Sequence, residues 1–108
     1  MSPNRSFRLL PAAARDITEI WEFIAKDNVS AAERLRAETF DAILRLVPFP
    51  QQGHLRSDLG APYLRFQTVR EYLIAYAPEE KPLLMVAIVD GRRSPKVIAA
   101  ILHERRSP

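Results

Sequence analysis

Arginine is the residue type in this sequence whose chemistry stands out. Thirteen of the sixteen basic side chains are arginine, and the planar guanidinium fork suits phosphate and carboxylate groups. Arg65 lies in a segment with strand-like alternation, and Arg92 and Arg93 follow the last such segment. If neighbouring strands bring Arg65 and Arg93 to one sheet face, a cationic groove results. Such a groove can hold RNA phosphates, an acidic protein surface or carboxylates of the protein itself.

Other residue types give weaker candidates for chemistry. The sequence has no cysteine, and its two histidines, His54 and His103, cannot by themselves close a zinc site. The acidic residues of the first helix, Asp16 among them, are expected on its solvated stripe. No serine or glycine lies in a nucleophile-elbow or phosphate-loop pattern. We therefore expect no catalytic residue, no metal site and no cofactor.

Three apolar side chains lie beside the expected groove. Trp21 and Phe23 belong to the first helical segment, and Tyr63 begins a strand-like segment. Aromatic residues at such spacings are usual in a core, but they also provide anchors for a bound partner. They remain candidates for both roles.

The elements that position these residues follow from the hydrophobic pattern. The order is βααβββα, an α+β fold. An N-terminal strand precedes an antiparallel helix hairpin, which packs on a mainly antiparallel sheet, and a short C-terminal helix follows. The predicted bounds are a strand over 5–10, helices over 12–27 and 30–47, strands over 63–69, 72–77 and 83–89, and a terminal helix from about 97.

Local signals set the predicted element ends. Asn28 is expected to end the first helix in a left-handed conformation, and Ser30 with Glu33 forms a capping box for the second. Residues 48–62 hold three prolines and two glycines without a period, which predicts a long functional or mobile loop. The strand over 72–77 is apolar on both faces, as expected of an interior strand.

Length and charge limit the possible classes of protein. The 108 residues suit a single domain, 1–108, and 47% hydrophobic residues supply a core. The net charge of +3 comes entirely from residues 55–108, which carry nine basic and six acidic side chains. No apolar run reaches the ~18 residues of a membrane span, and the N-terminus does not open a signal peptide. We expect a cytoplasmic protein that does not bind DNA directly.

Six short strings in order carry a resemblance to a known family. They are residues 17–25 (ITEIWEFIA), 31–35 (AAERL), 49–56 (FPQQGHLR), 64–66 (LRF), 72–76 (YLIAY) and 90–93 (DGRR). Together they resemble the ParE branch of the ParE/RelE toxins of bacterial type II toxin-antitoxin systems. The resemblance implies a small α+β toxin that is held inactive by an antitoxin encoded beside it.

The resemblance also separates two mechanisms. RelE-like members cut mRNA in the ribosome with Arg, Lys and Tyr side chains. At matching positions this sequence keeps Arg93 but has Leu73 in place of an arginine and Ala99 in place of a tyrosine. Alanine has no proton to donate, so the ribonuclease set is incomplete. The sequence also departs from ParE-like members, with Asp90 where histidine is common and Ser94 where aspartate is common.

The resemblance therefore implies a toxin that inhibits DNA gyrase by binding, with Arg65, Arg92 and Arg93 as toxicity residues. Its expected partner is a ParD-like antitoxin of the ribbon-helix-helix type, bound through Trp21, Phe23 and Tyr63 in a hetero-oligomer that contacts DNA through the antitoxin. Two alternatives stay open. One is an mRNA endoribonuclease that uses the arginines with His54 or His103 as proton donor, and the other is a module that only binds antitoxin.

Overall fold

A four-stranded mixed sheet lies between two long helices and a shorter C-terminal helix in the computed structural model, which describes residues 7–106. This α+β arrangement is the predicted one. Its elements are β1 (Phe7–Leu9), α1 (Pro11–Ala25), α2 (Val29–Leu46), β2 (Arg65–Val69), β3 (Tyr72–Ala77), β4 (Leu83–Asp90) and α3 (Pro95–Arg106).

The strand order is β1-β4-β3-β2. β1 runs parallel to β4, while the β2–β3 and β3–β4 pairs are antiparallel. The hairpin succession of the last three strands makes them neighbours, and the helix pair between β1 and β2 carries the chain back across one face. β3 lies inside the sheet, and all six of its residues are buried. The prediction of an interior strand is confirmed.

The alternating side chains of the strands divide the core into two parts. Tyr72, Ile74 and Tyr76 of β3 pack with α1 and α2 on one face. Leu73 and the two alanines of β3 pack on the other face, where α3 and the segment before β2 cover them. Since both faces are covered, the sheet carries apolar side chains on each.

The start of α2 differs from the predicted one. Its N-cap is Asn28, whose side chain accepts a hydrogen bond from the Ala31 amide at 2.9 Å. Asn28 has an extended backbone with φ of −159°, so the expected left-handed conformation is wrong. The predicted capping box of Ser30 and Glu33 is also wrong, because α2 begins at Val29, one residue before Ser30.

The segment over 48–62 has more regular structure than the sequence indicated. Two short 3₁₀ turns lie at Pro50–Gln52 and Ser57–Leu59. Between them, His54 pairs with Phe66 of β2 in an isolated antiparallel bridge. The segment thus follows the outer edge of β2 and covers part of it.

Tyr76 anchors this segment from inside the sheet. Its hydroxyl accepts a hydrogen bond from the Gly53 amide at 2.9 Å and donates one to the Pro50 carbonyl at 2.7 Å. A Cβ on Gly53 would lie against the Tyr76 ring and 2.9 Å from the Phe66 carbonyl oxygen. Glycine is required at this position because the two backbones approach so closely.

The two ends of the described chain differ only slightly from prediction. The predicted first strand begins at residue 5, and residues 5 and 6 lie outside the described range. α3 begins at Pro95, and the Ser94 hydroxyl accepts a hydrogen bond from the Val97 amide at 3.3 Å. No helix between residues 7 and 106 combines the length and hydropathy that crossing a membrane would need.

Candidate functional site

An open groove lies where β4 ends and α3 begins. Its volume is about 460 Å³. α1 forms one wall, α3 forms the other, and the last residues of β4 form the floor. The lining residues are Asp16, Glu19, Ile20, Phe23, Tyr72, Ile88, Val89, Asp90, Arg93, Ile101 and Arg105. The groove therefore combines an apolar floor with several charged side chains.

Arg93 is the exposed cation of this groove. Its position follows from the turn after β4, where its amide donates a hydrogen bond to the Asp90 carbonyl at 3.2 Å. Among the ion pairs within residues 7–106, none includes Arg93. An ion pair of Arg93 with Asp16 or Asp90 is therefore absent from this part of the chain. Its guanidinium is available to an external anion.

Arg92, in contrast, is engaged with Asp90. The Arg92 Nε and Nη2 atoms donate to the two Asp90 oxygens at 3.0 and 2.8 Å, and the Arg92 amide donates to the same carboxylate at 2.9 Å. These bonds, with the positive charges of Arg92 and Arg93, lower the pKa of Asp90 to about 2. The same pair raises the pKa of Arg92. Asp90 thus organises the turn that presents Arg93.

A second ion pair joins the two walls of the groove. Arg105 of α3 donates from Nη1 and Nη2 to the Asp16 carboxylate of α1 at 2.8 and 2.9 Å. The side chains are 17% and 14% exposed, respectively. The expectation that Asp16 lies on a solvated stripe is wrong, because α3 covers that part of α1. Burial opposes the charge of Arg105, but its hydrogen bonds with Asp16 raise its pKa overall.

This ion pair also satisfies the edge of β4. β1 pairs with β4 only as far as Met85, and a β-bulge at Val86 interrupts the pairing of β4 with β3. Arg105 donates to the Val86 carbonyl at 3.0 Å, and the Ile88 amide donates to Asp16 at 3.0 Å. The two side chains therefore replace a missing neighbouring strand.

Arg65 lies at the opposite end of the sheet from Arg93. Its cross-strand partner is Tyr76, which pairs in turn with Met85, whereas the chain reaches Arg93 from Asp90. Asp90 lies five positions after Met85 along β4, which corresponds to ~16 Å of strand. The prediction of one cationic groove containing Arg65 and Arg93 is therefore wrong. Arg65 is the first residue of β2 and Arg93 follows β4 in the same sheet, so strand register determines how far apart they lie.

Arg65 instead belongs to the anchor of the segment over 48–62. Its Nη1 atom donates to the Gly53 carbonyl at 2.8 Å. His54 is adjacent, since it pairs with Phe66, and it is exposed. Arg65 and His54 thus form one group, and Arg92 and Arg93 form another.

The three aromatic candidates lie on different surfaces. Phe23 is 69% exposed and lines the groove with Arg93. Trp21 lies between α1 and α2, where its Nε1 atom donates to Glu33 at 3.0 Å. Tyr63 precedes β2 instead of beginning it, and lines a small cavity against α3 on the other face of the sheet. Of the three, Phe23 is the one that lines the groove of Arg93.

The two positions expected to lack ribonuclease groups lie apart from the groove. Leu73 is 6% exposed and belongs to the core beneath α3. Ala99 lies on α3 beside the cavity that Tyr63 lines. Neither side chain can donate a proton or hold a phosphate. Within residues 7–106, histidine and acidic side chains form no cluster of three that could hold a metal ion.

Sequence reasoning missed the roles of Asp16 and Arg105. One signal was present for Asp16: it lies three residues after Ala13 and four before Ile20, at the border of the apolar stripe of α1. Nothing nearby in the sequence points to Arg105, which is 89 positions away.

The chain matches a known protein family. The model of a family described as "ParE toxin of type II toxin-antitoxin system, parDE" matches residues 7–95. This match covers β1 to β4 and ends at the first residue of α3. No curated protein matches the chain at a significant level.

Proposed function

Because the chain belongs to the ParE toxin family of type II toxin-antitoxin systems, we propose that it arrests growth by binding DNA gyrase and that a ParD-like antitoxin neutralises it. Membership makes the chain the toxin of a toxin-antitoxin pair, with an antitoxin as its partner. We propose further that residues 1–108 form one toxin domain and that it acts in the cytoplasm, where its target is found.

One observation carries the choice of binding over RNA cleavage. The arginine and histidine candidates for a ribonuclease site lie on separate parts of the domain. By strand register, Arg65 lies ~16 Å of strand from the Asp90 turn that presents Arg93, and His54 lies ~10 Å of strand from that turn and beyond the outer edge of β2. His103 lines the cavity of Tyr63 on the other face of the sheet. General acid-base catalysis requires the proton donor within hydrogen-bond reach of the scissile group. A phosphate held by Arg93 is out of reach of His54. This separation supports a toxin that binds its target.

Arg93 and Phe23 are the best-placed residues for target contact in this proposal. An exposed aromatic ring in the same groove as a guanidinium that has no ion pair among the described residues provides both an apolar anchor and a charged one. Arg92 supports them through the Asp90 turn. The toxicity role predicted for Arg65 rests on a separate surface, so its contribution is testable on its own.

The antitoxin is proposed to bind a wider surface. Trp21 and Tyr63 lie on opposite faces of the sheet, so one partner that contacts both with Phe23 must wrap around the domain. Antitoxin segments of this kind are disordered alone and fold on contact. Two copies of each chain, joined through a ribbon-helix-helix antitoxin dimer, then bind DNA through the antitoxin. A gel shift in which the toxin alone binds the operator would contradict this division of roles.

Gyrase assays test the proposed target. The purified chain should inhibit DNA supercoiling by gyrase or trap its cleaved DNA complex at micromolar concentration, and added antitoxin should reverse the effect. The Arg93→Ala variant serves as the matched control.

A chain that leaves gyrase unaffected but cuts mRNA on ribosomes would establish the endoribonuclease instead, and loss of that cutting in the His54→Ala, His103→Ala double variant would identify its proton donor. A chain that binds antitoxin without arresting growth would be a binding module only.

A further inference from the structure

We propose that the ion pair of Asp16 and Arg105 is a clasp that holds α3 as the second wall of the Arg93 groove, and that this wall is required to bind a segment of the target protein that presents a carboxylate to Arg93. The inference rests on the proposed function for its target. It assigns a positioning role to an element that begins where the family match ends.

α3 is attached to the rest of the domain both by apolar contacts and by the clasp. Ile98 and Leu102 are each 1% exposed and fix the body of the helix to the sheet. The residues of α3 that line the groove, Ile101 and Arg105, lie in its second half. Arg105 is the α3 residue that hydrogen-bonds to α1 within the described chain. Because Leu102 is buried beside Ile101, the clasp controls the last turn of α3, which carries Arg105, while the apolar contacts hold the remainder.

The charged side chains of the groove indicate what kind of segment binds there. Asp16 is matched by Arg105, and Asp90 is matched by Arg92, so these charges are satisfied internally. Arg93 and Glu19 line the same groove, and neither takes part in an ion pair among residues 7–106. Charge complementarity therefore favours a bound segment that places a carboxylate at Arg93, a neutral or basic group at Glu19 and an apolar neighbour against Phe23.

The clasp holds one wall of the groove in the position that target binding requires. A binding surface needs its contacting groups held in place by neighbours with fixed positions. If the clasp opens, Arg105 and the last turn of α3 move away from α1 and the groove loses that end of its wall. Asp16 and Arg105 then act on target binding by holding α3 in place, which makes them positioning residues.

The Asp16→Asn variant tests the clasp, and Glu38→Gln is its matched control. Glu38 accepts two hydrogen bonds from Arg70, at 2.6 and 2.8 Å, in a pair of the same chemistry that does not line the groove. Hydrogen exchange, measured on the folded proteins, should show faster exchange for α3 amides near residue 105 in Asp16→Asn. Amides of β3 and of β4 should keep their protection in both variants, apart from the Ile88 amide, which donates to Asp16.

Growth arrest after induction and gyrase inhibition are then compared. We expect Asp16→Asn to lose potency in both assays by about tenfold, the range of a typical coupling between two sites, and Glu38→Gln to match the wild type. Because the chain has no cysteine, the Asp16→Cys, Arg105→Cys variant can be closed with a short bismaleimide linker. Closure should restore the potency that the unlinked form lacks.

The clasp and the proposed gyrase target are refuted by different results. Unchanged α3 exchange in Asp16→Asn, or full growth arrest despite faster exchange, refutes the clasp. A linked and folded cysteine variant that stays inactive also refutes it. If the wild type arrests growth without affecting gyrase, the proposed target is wrong, and growth arrest in the variants still decides whether the clasp is needed.

Discussion

Replacement of Arg93 by alanine separates a role in toxicity from a role in folding. Arg93 is exposed and has no ion pair within residues 7–106. An exposed arginine of this kind contributes about 0 to 1 kcal/mol to the free energy of unfolding. For a domain of this size, each 1 kcal/mol shifts Tm by roughly 4–8 °C. Arg93→Ala should therefore abolish growth arrest while the Tm of the antitoxin complex falls by no more than roughly 4–8 °C.

Arg105→Ala gives the contrasting magnitude in the same groove. It removes two hydrogen bonds to Asp16 and one to the Val86 carbonyl, and leaves a carboxylate that is mostly buried. Loss of one partner of a buried ion pair costs on the order of 3 kcal/mol or more. This variant should show a clear fall in Tm, and its loss of toxicity should follow partly from reduced folded protein.

The assay is growth of a sensitive host after induction, with thermal unfolding of each purified antitoxin complex measured by circular dichroism. Arg93→Lys adds a useful comparison, because lysine keeps the charge but not the planar fork. Partial toxicity of the lysine variant would indicate that the geometry of the guanidinium matters. An Arg93→Ala variant that remains fully toxic would remove Arg93 from the site, and a Tm as low as that of Arg105→Ala would refute the assignment of Arg93 as structurally free.

Three further changes test the structure around the site. Tyr76→Phe leaves the buried Gly53 amide without its acceptor and should lower the free energy of unfolding by about 1–3 kcal/mol in urea titrations; an unchanged midpoint would mean that another group replaces the hydroxyl. Gly53→Ala places a methyl group against the Tyr76 ring and the neighbouring backbone, and overpacking of this kind costs about 1–3 kcal/mol in thermal unfolding; a variant as stable as the wild type would disprove the close approach. The third change concerns pH. Because Arg92 lowers the pKa of Asp90 from 3.8 to about 2, the stabilisation by this pair is present above pH 3.8 and is lost as the pH falls toward 2. Unfolding measured across that interval should depend less on pH in Asp90→Asn, and identical pH profiles would contradict the pairing.

Local patterns in the sequence determined much of the fold. Spacings of three and four predicted α1, and apolar residues on both faces predicted β3 as an interior strand, since both patterns depend on residues within one element. The cap of α2 was predicted two residues late. Asn28 and Ser30 both suit an N-cap, and the choice depends on how the chain leaves α1. Family resemblance, carried by short strings along the chain, identified the toxin class.

The tertiary structure alone decided which side chains meet. The sequence allows Arg65 and Arg93 to meet in one groove on one sheet face, but strand register places them at opposite ends of the sheet. Asp16 and Arg105 come together across 89 positions because α3 packs over the edge of β4 that β1 leaves open. Periodicity reports which face of an element is buried, whereas such a meeting depends on how all the elements pack. The sequence therefore determined the elements and the class of protein, and only their packing separated Arg93 in its groove from Arg65 in the anchor of the preceding segment.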